Sequence, residues 1–401
     1  MRRLTALLVA TVLTLWSAAV SAAPQGAGVA GGSGPEQAAQ VQVEAPSAIL
    51  IDAGSGKVLF ARNADRRQPI ASLTKIMTLT LALEALRDGK VKLTDPVVGS
   101  ALARSMGGTQ IWLEEGEQFP LKDMLYAIGV GSANDCAVAV AEYLGGSFEG
   151  FVAAMNRKAK ELGLKNTNFS NPTGLDDADN YSTAADLATL CRYAVRLPMF
   201  LELTSTWEYW VRKGTPHEVW LTTFNKLLKS YPGYDGIKTG FTEKAGYCLA
   251  STAQRGGLRL IAIVLGERTP QSRTADVQRL LDYGFRLYEA VEVAKEGTVV
   301  GSVEVFRGHD PRVDAVVSRT FHVAVPRVGE KKITTEVRLE RRRVNAPVKK
   351  GQVLGMLVAK QAGQELGRVE VVAARDVPAG SWWRLCGQMV QAVFRTFLGV
   401  R

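Results

Sequence analysis

Between residues 46 and 290 the spacing of apolar positions changes twice. Residues 48–52 (AILID) and 57–61 (KVLFA) are short, strand-like runs around the turn Ala53-Gly54-Ser55-Gly56. A different pattern follows: residues 76–86 are apolar on nearly every side (Ile76, Met77, Leu79, Leu81, Leu83, Leu86), which predicts a helix running through the core. The helix is expected to include Ser72 in its first turn and to end near Gly89. Further helices are predicted over 121–130, 136–144, 151–162 (stopped at Gly163) and 183–197, the last opened by a Thr183-x-x-Asp186 capping box. The chain then returns to strand-like runs at 207–212, 218–222, 246–253 and 258–265. The last two form a hairpin about Arg255-Gly256-Gly257, and a helix over 272–289 closes the segment. Helices in the middle and strands at both ends predict an α+β fold, an antiparallel sheet covered by helices.

Residues 291–380 are patterned differently, as short β segments at 298–306, 320–325, 333–339, 353–358 and 367–372, and they predict a small all-β domain. Its basic run Arg341-Arg342-Arg343 reads as a solvated edge. In 381–401 a helical period puts Arg384, Gln388, Gln391 and Arg395 on one stripe. Trp382, Leu385, Met389, Val393, Phe394 and Phe397 fall opposite, with no acidic residue. This predicts an amphipathic helix lying in a membrane surface, too polar to span it. At the other end, Arg2 and Arg3, the apolar run 4–16 and the small residues 19–22 predict a secretory signal over 1–23, followed by a flexible linker over 24–45. The domains expected are therefore 46–290 and 291–380, in an exported protein held at the outer face of the cytoplasmic membrane.

Composition narrows the chemistry. A formal charge of +10 suits nucleic acid, an anionic membrane or an acidic polymer. The chain lacks zinc-finger cysteine spacing, a phosphate-binding loop and a basic-aromatic RNA signature, which disfavours nucleic acid. The three histidines, His217, His309 and His322, have no i, i+4 partner, so neither a histidine metal site nor a Ser-His-Asp triad is favoured. Cys136, Cys191, Cys248 and Cys386 match no disulfide framework and read as free thiols.

If a serine acts here, its base is a lysine. Ser72 and Lys75 are three apart, within mutual reach on one helix face, and a lysine stripped of solvent can accept the hydroxyl proton. Ser132-Ala133-Asn134 lies in a glycine-flanked break between predicted helices. Lys238-Thr239-Gly240 follows the turn 232–236, as an edge strand entering a site would. The patterns S-x-x-K, S-x-N and K-T-G occur once each and in that order.

With these motifs the sequence resembles the penicillin-recognising serine peptidases, most closely the low-molecular-mass penicillin-binding proteins that act as D-alanyl-D-alanine carboxypeptidases. Residues 67–78 (RQPIASLTKIMT), 171–175 (NPTGL), 225–228 (NKLL) and 235–240 (DGIKTG) look like family segments, and the resemblance covers nearly the whole mature chain. It implies a transpeptidase-like fold and no cofactor. It also implies that Ser72 attacks a peptidoglycan stem peptide ending in D-Ala-D-Ala, releasing the terminal D-alanine, and that β-lactams acylate the same serine. Lys75 would accept the proton and Ser132 relay one to the leaving amine. Asn134 would hold Lys75 and the substrate amide. Lys238 would supply positive potential, and Thr239 and Arg273 would bind the substrate carboxylate. Gly240 belongs to the same motif, and the N–H groups of Ser72 and Phe241 would form the oxyanion hole. Two departures stand out: Cys136, where a small residue is common, and Phe241, where some members carry histidine.

Three other readings compete. A class A β-lactamase needs a carboxylate for the deacylating water, and Glu161 is the residue in the expected region. The same fold could cut cross-links as an endopeptidase. A non-catalytic wall-associated scaffold would have no use for the intact Ser72, Lys75, Ser132, Asn134 and Lys238 set.

Overall fold

The computed structural model of the chain describes residues 41–329 and 331–380. The expected signal over 1–23, the linker up to residue 40, Cys386 and the terminal helix over 381–401 lie outside the described residues. The last stretch assigned to the linker is packed: Val43 and Ala45 are buried, and the Asp276 carboxylate accepts the N–H groups of Glu44 and Ala45 at 2.7 and 2.8 Å.

Both faces of the main sheet are covered, so its strands alternate between two cores instead of between core and water. Ile49, Ile51, Ile261, Ile263 and Leu265 face one cluster, built largely on the helix Lys75–Arg87. Their neighbours Ala48, Leu50, Leu260, Ala262 and Val264 face a second, on the helix Pro270–Leu287. The sheet order is Val58–Arg62, Ser47–Asp52, Leu258–Glu267, Gly246–Arg255, Tyr234–Thr242, with every neighbouring pair antiparallel. The hairpin about Arg255 is present: Arg255 pairs with Leu258, and Gly256 and Gly257 (φ +53° and +81°) take the left-handed conformations that a two-residue turn requires.

The helix Lys75–Arg87 is buried from Lys75 through Thr80 and packs against the helices Leu121–Val130, Asn134–Gly145 and Ala184–Ala194. Its polar residues are satisfied internally, with the Thr80 hydroxyl donating to the Ile76 carbonyl and the Thr78 hydroxyl to that of Pro172. Ser72 does not belong to it. Residues Ala71–Thr74 form a separate 3-10 turn, with Ala71 at φ +49°. Two backbones crowd this turn. A Cβ on Gly174 would lie 1.9 Å from the Ala71 carbonyl oxygen, and one on Gly240 would lie 3.1 Å from the Ser72 nitrogen.

Capping shifts several expected helix starts. Ser147 caps Phe148–Glu161 and Thr269 caps Pro270–Leu287, each accepting from the N–H three residues on. Thr183 likewise accepts from the Asp186 N–H. Only half of that capping box forms, because the Asp186 carboxylate is engaged by the Asn166 N–H and the Thr167 hydroxyl. Cys136, Cys191 and Cys248 are free and buried, and burial pushes their thiols up, that of Cys248 to about 11.

From Tyr288 onward the chain is β. A two-stranded ladder, Tyr288–Ala294 with Phe321–Pro326, stands beside a six-stranded sheet over a core of Val303, Val305, Val313, Phe321 and Val371. The segment Arg343–Asn345 is an outer strand of that sheet, and Arg341 to Arg343 are exposed, as a solvated edge requires. This part meets the first through the Asp52 carboxylate, which accepts the Ala324 N–H at 3.3 Å.

Gly174 (φ +83°) thus carries two requirements, a left-handed backbone and contact with the Ser72 turn. Gly174→Ala is expected to lower the unfolding free energy by more than about 1 kcal/mol, read as a fall in midpoint in a thermal or urea melt. A variant melting like the parent would show that the turn yields freely.

Candidate active site

In a 3-10 turn residues i and i+3 eclipse, so the turn at Ala71–Thr74 brings Ser72 directly over Lys75, the first residue of the core helix. Lys75 Nζ lies 3.1 Å from Ser72 Oγ, 2.6 Å from Asn134 Oδ1 and 2.6 Å from the Thr173 carbonyl oxygen. The last partner comes from an Asx turn. Asn171 Oδ1 accepts from the N–H groups of Thr173 and Gly174 (3.1 and 2.7 Å), which turns the carbonyls of Pro172 and Thr173 toward Thr78 and Lys75. The sequence sets 171–175 apart as a family segment, but nothing in it signals that a backbone carbonyl there holds the lysine.

The second wall is the break between Leu121–Val130 and Asn134–Gly145. Ser132 sits there at φ +60°, and its carbonyl accepts the Thr109 hydroxyl at 2.8 Å. Asn134 is the first residue of its helix and not a loop residue before it, as expected. Its Nδ2 donates to the Gly107 carbonyl at 2.7 Å, which leaves Oδ1 facing Lys75. Asp135, not singled out from sequence, is fully buried, and its Oδ2 accepts the N–H groups of Ile111 and Leu113 (2.9 and 3.0 Å). It anchors the segment that carries Gly107 and Thr109. A carboxylate beside the S-x-N motif was the available signal.

The third wall is the strand Tyr234–Thr242, an edge of the sheet with one side of its backbone unpaired. Lys238 is buried, and its ammonium donates to the Thr239 carbonyl at 3.1 Å. Gly240 packs on Ala71 and Ser72, and the exposed ring of Phe241 stacks on Tyr247 at 4.3 Å. Arg273, at the start of the helix Pro270–Leu287, is buried with its guanidinium 5.7 Å from the Tyr247 ring, and its Nε has no partner. Ser72, Ser132, Asn134, Thr239, Gly240, Phe241 and Arg273 line one cleft of about 890 Å³, with Lys75 and Lys238 buried behind it.

Burial holds the Lys75 ammonium well below its ordinary range; the positive charge of Lys238 adds to this and Asp135 opposes it. Lys238 is lowered to about 7 by its own burial and by Arg273. A neutral Lys75 fits its surroundings atom for atom. The amine has two N–H donors and a lone pair, and its three neighbours are two obligate acceptors and one hydroxyl. Once the amine is neutral, its two N–H bonds go to Asn134 Oδ1 and the Thr173 carbonyl, and its lone pair is free to accept the Ser72 hydroxyl proton in place of the N–H donated to Ser72 Oγ by the ammonium. Glu161 stands apart: it is exposed at the end of its helix, paired with Lys158 at 2.7 Å, and does not line the cleft.

Residues 34–269 match the family of D-alanyl-D-alanine carboxypeptidases, and residues 288–379 match the C-terminal domain of penicillin-binding protein 5. The chain is 43% identical to the D-alanyl-D-alanine carboxypeptidase DacF of Bacillus subtilis over 83% of its own length and 86% of the relative's. It is 34% identical to DacA of Escherichia coli over 89% and 90%. Among solved structures it is similar to penicillin-binding protein 5 of Haemophilus influenzae, with a TM-score of 0.68 and 31% identity over 84% of this chain and 98% of that one. By sequence and by structure, the chain belongs to the D-alanyl-D-alanine carboxypeptidase family of serine peptidases and carries that family's penicillin-binding protein 5 type C-terminal domain.

Proposed function

We propose that this protein is a penicillin-sensitive carboxypeptidase that removes the terminal D-alanine from peptidoglycan stem peptides. The observation that carries the reading is the buried Lys75 amine, in contact with Ser72 Oγ and with two fixed acceptors. Lys75 takes the Ser72 proton as Oγ attacks the carbonyl of the penultimate D-alanine. The oxyanion forms between the N–H groups of Ser72 and Phe241, a role supported by the Gly240 backbone lying against the Ser72 nitrogen. Ser132 passes a proton to the leaving amine. The Arg273 guanidinium, Thr239 hydroxyl and Lys238 ammonium receive the terminal carboxylate, which restores to Lys238 the charge that burial disfavours. Water then hydrolyses the ester and frees Ser72.

Residues 1–23 and 381–401 supply the finer reading of place. Their composition supports export and attachment to the outer face of the cytoplasmic membrane through an amphipathic terminal helix. No helix among the described residues is long and apolar enough to cross a membrane.

Three outcomes test these assignments. The mature protein is expected to release D-alanine from a diacetylated Lys-D-Ala-D-Ala tripeptide, and penicillin to block it. Ser72→Ala should lower acylation by at least about 10³-fold while leaving the melting curve unchanged. Labelling by penicillin that persists in this variant refutes the nucleophile, and labelling of the parent without D-alanine release points to an endopeptidase.

The acid limb of kcat/KM reports Lys75, which must be neutral to act. The positive charge of Lys238 lowers the pKa of Lys75, so Lys238→Gln removes that charge, raises the Lys75 pKa and should move the acid limb to higher pH. A limb that stays in place or moves to lower pH would show that the two lysines do not communicate.

Deleting residues 381–401 should shift the protein from the membrane fraction to the soluble one with tripeptide activity intact. A truncated protein that still sediments with membranes would count against the anchor.

A further inference from the structure

The cleft continues onto an aromatic ledge that the reaction does not use. The strands Glu208–Val211 and Val219–Thr222 form a two-stranded antiparallel ladder beside the site. Its inner face is pinned: Val211 and Leu221 are buried, and Tyr209 stacks on Tyr126 at 4.3 Å and donates its hydroxyl to Asp123. The outer face carries Trp210 and Trp220 directly opposite each other, with ring centroids 5.8 Å apart and planes within 19° of parallel. These rings are 39% and 55% exposed. Trp220 Nε1 donates to the Glu208 carboxylate at 3.2 Å, which sets the ring's orientation.

The ledge is continuous with the cleft. Thr222 lies two residues beyond Trp220, on the same face of its strand, and lines the cleft together with Phe224. At the far end Arg212, the residue after Val211, donates to the carbonyls of Ile111 and Trp112 (2.8 and 3.2 Å). Trp112 and Arg212 both hold left-handed backbones, at φ +56° and +55°, and the Trp112 ring is 64% exposed. Bulky residues rarely adopt this conformation, and it persists where surrounding contacts impose it. Two stacked indoles left exposed on a ladder that runs into the cleft mark an interaction surface.

Resting on the carboxypeptidase reading, we propose that this ledge binds the glycan strand from which the stem peptide hangs. A stem peptide seated in the cleft is covalently attached to an amino-sugar polymer, and that polymer must leave the cleft across adjoining surface. Pyranose rings present flat faces of C–H bonds, which pack on the electron-rich faces of indoles. The Glu208 carboxylate and Thr222 hydroxyl, on the same outer face, suit the hydroxyl and acetamido groups between such rings. Polymeric substrate would thereby gain contacts that a free tripeptide lacks, so the ledge acts on KM for polymer and not on the chemical step.

The test uses the mature chain, its Trp210→Ala/Trp220→Ala double variant and a Trp210→Phe/Trp220→Phe control. Three probes are needed: peptide-free glycan strands, glycan strands bearing pentapeptides, and the tripeptide. The alanine variant should bind peptide-free strands roughly two- to tenfold more weakly per lost ring contact, with KM on the pentapeptide polymer rising in step. Its kcat/KM on the tripeptide and its rate of penicillin labelling should equal the parent's. The phenylalanine control should retain binding, which separates loss of the rings from disruption of the ladder.

Equal action of parent and alanine variant on the polymer, or failure of the parent to bind peptide-free strands, overturns the proposal. Self-association of the parent that the alanine variant loses, without glycan binding, would assign the ledge to a second copy of the chain and overturn it equally. If the parent releases D-alanine from neither substrate, the carboxypeptidase reading fails. Glycan binding lost in the alanine variant and kept in the phenylalanine control would still support the ledge.

Discussion

A primary amine buried without a carboxylate partner is the constraint on which this structure turns. Lys75 Nζ contacts a hydroxyl, an amide oxygen and a peptide carbonyl, and none of these carries charge. An ammonium ion there would lose its hydration for three dipoles, so burial favours the neutral base. Placing Lys238 in the same recess pushes in the same direction. The charge that opposes this, Asp135, is occupied by backbone N–H groups of its own wall. The lost solvation that costs stability also leaves beside Ser72 an amine able to accept a proton.

Holding that amine in place takes segments far apart in the chain. The core helix supplies Lys75, the helix starting at Asn134 supplies one acceptor, and the Asx turn at 171–174 supplies another. The edge strand at 234–242 closes the recess with its backbone, and Gly174 and Gly240 are the points where two chains press on the Ser72 turn. Because the turn is 3-10, the hydroxyl and the amine eclipse without either leaving a helical backbone. Beside the amine, the left-handed non-glycine backbones fall at Ala71 and Ser132, where packing over-determines the conformation.

The cleft follows from the same arrangement. Its floor holds Ser72, one wall the Ser132 break, and the other the edge strand with Arg273, whose unpartnered Nε and depressed basicity both reflect burial. The ladder carrying Trp210 and Trp220 extends the surface beyond Thr222. The β domain meets the catalytic part through the Asp52 turn, away from the residues that line the cleft.

How much of this could be read from the amino-acid order depends on distance along the chain. The core helix, the Arg255 hairpin, the all-β second domain and the three motifs that meet at the cleft are all legible, because periodicity, turn glycines and S-x-x-K spacing are local properties. Local rules also erred locally. Local spacing predicts α-helix at Ser72, and nothing within a few residues reveals the backbones of Gly174 and Gly240 pressing on it from about 100 and 168 positions away. The capping box at Thr183 is only half formed, because Asp186 found partners at 166 and 167. The sequence by itself determined which groups could do the chemistry. Only the tertiary structure decided that Lys75 has no charged partner, that Thr173 offers it a carbonyl and that Asp135 braces the wall. Solvation and backbone hydrogen bonds are set by what surrounds a residue in space, and the order of residues records that only indirectly.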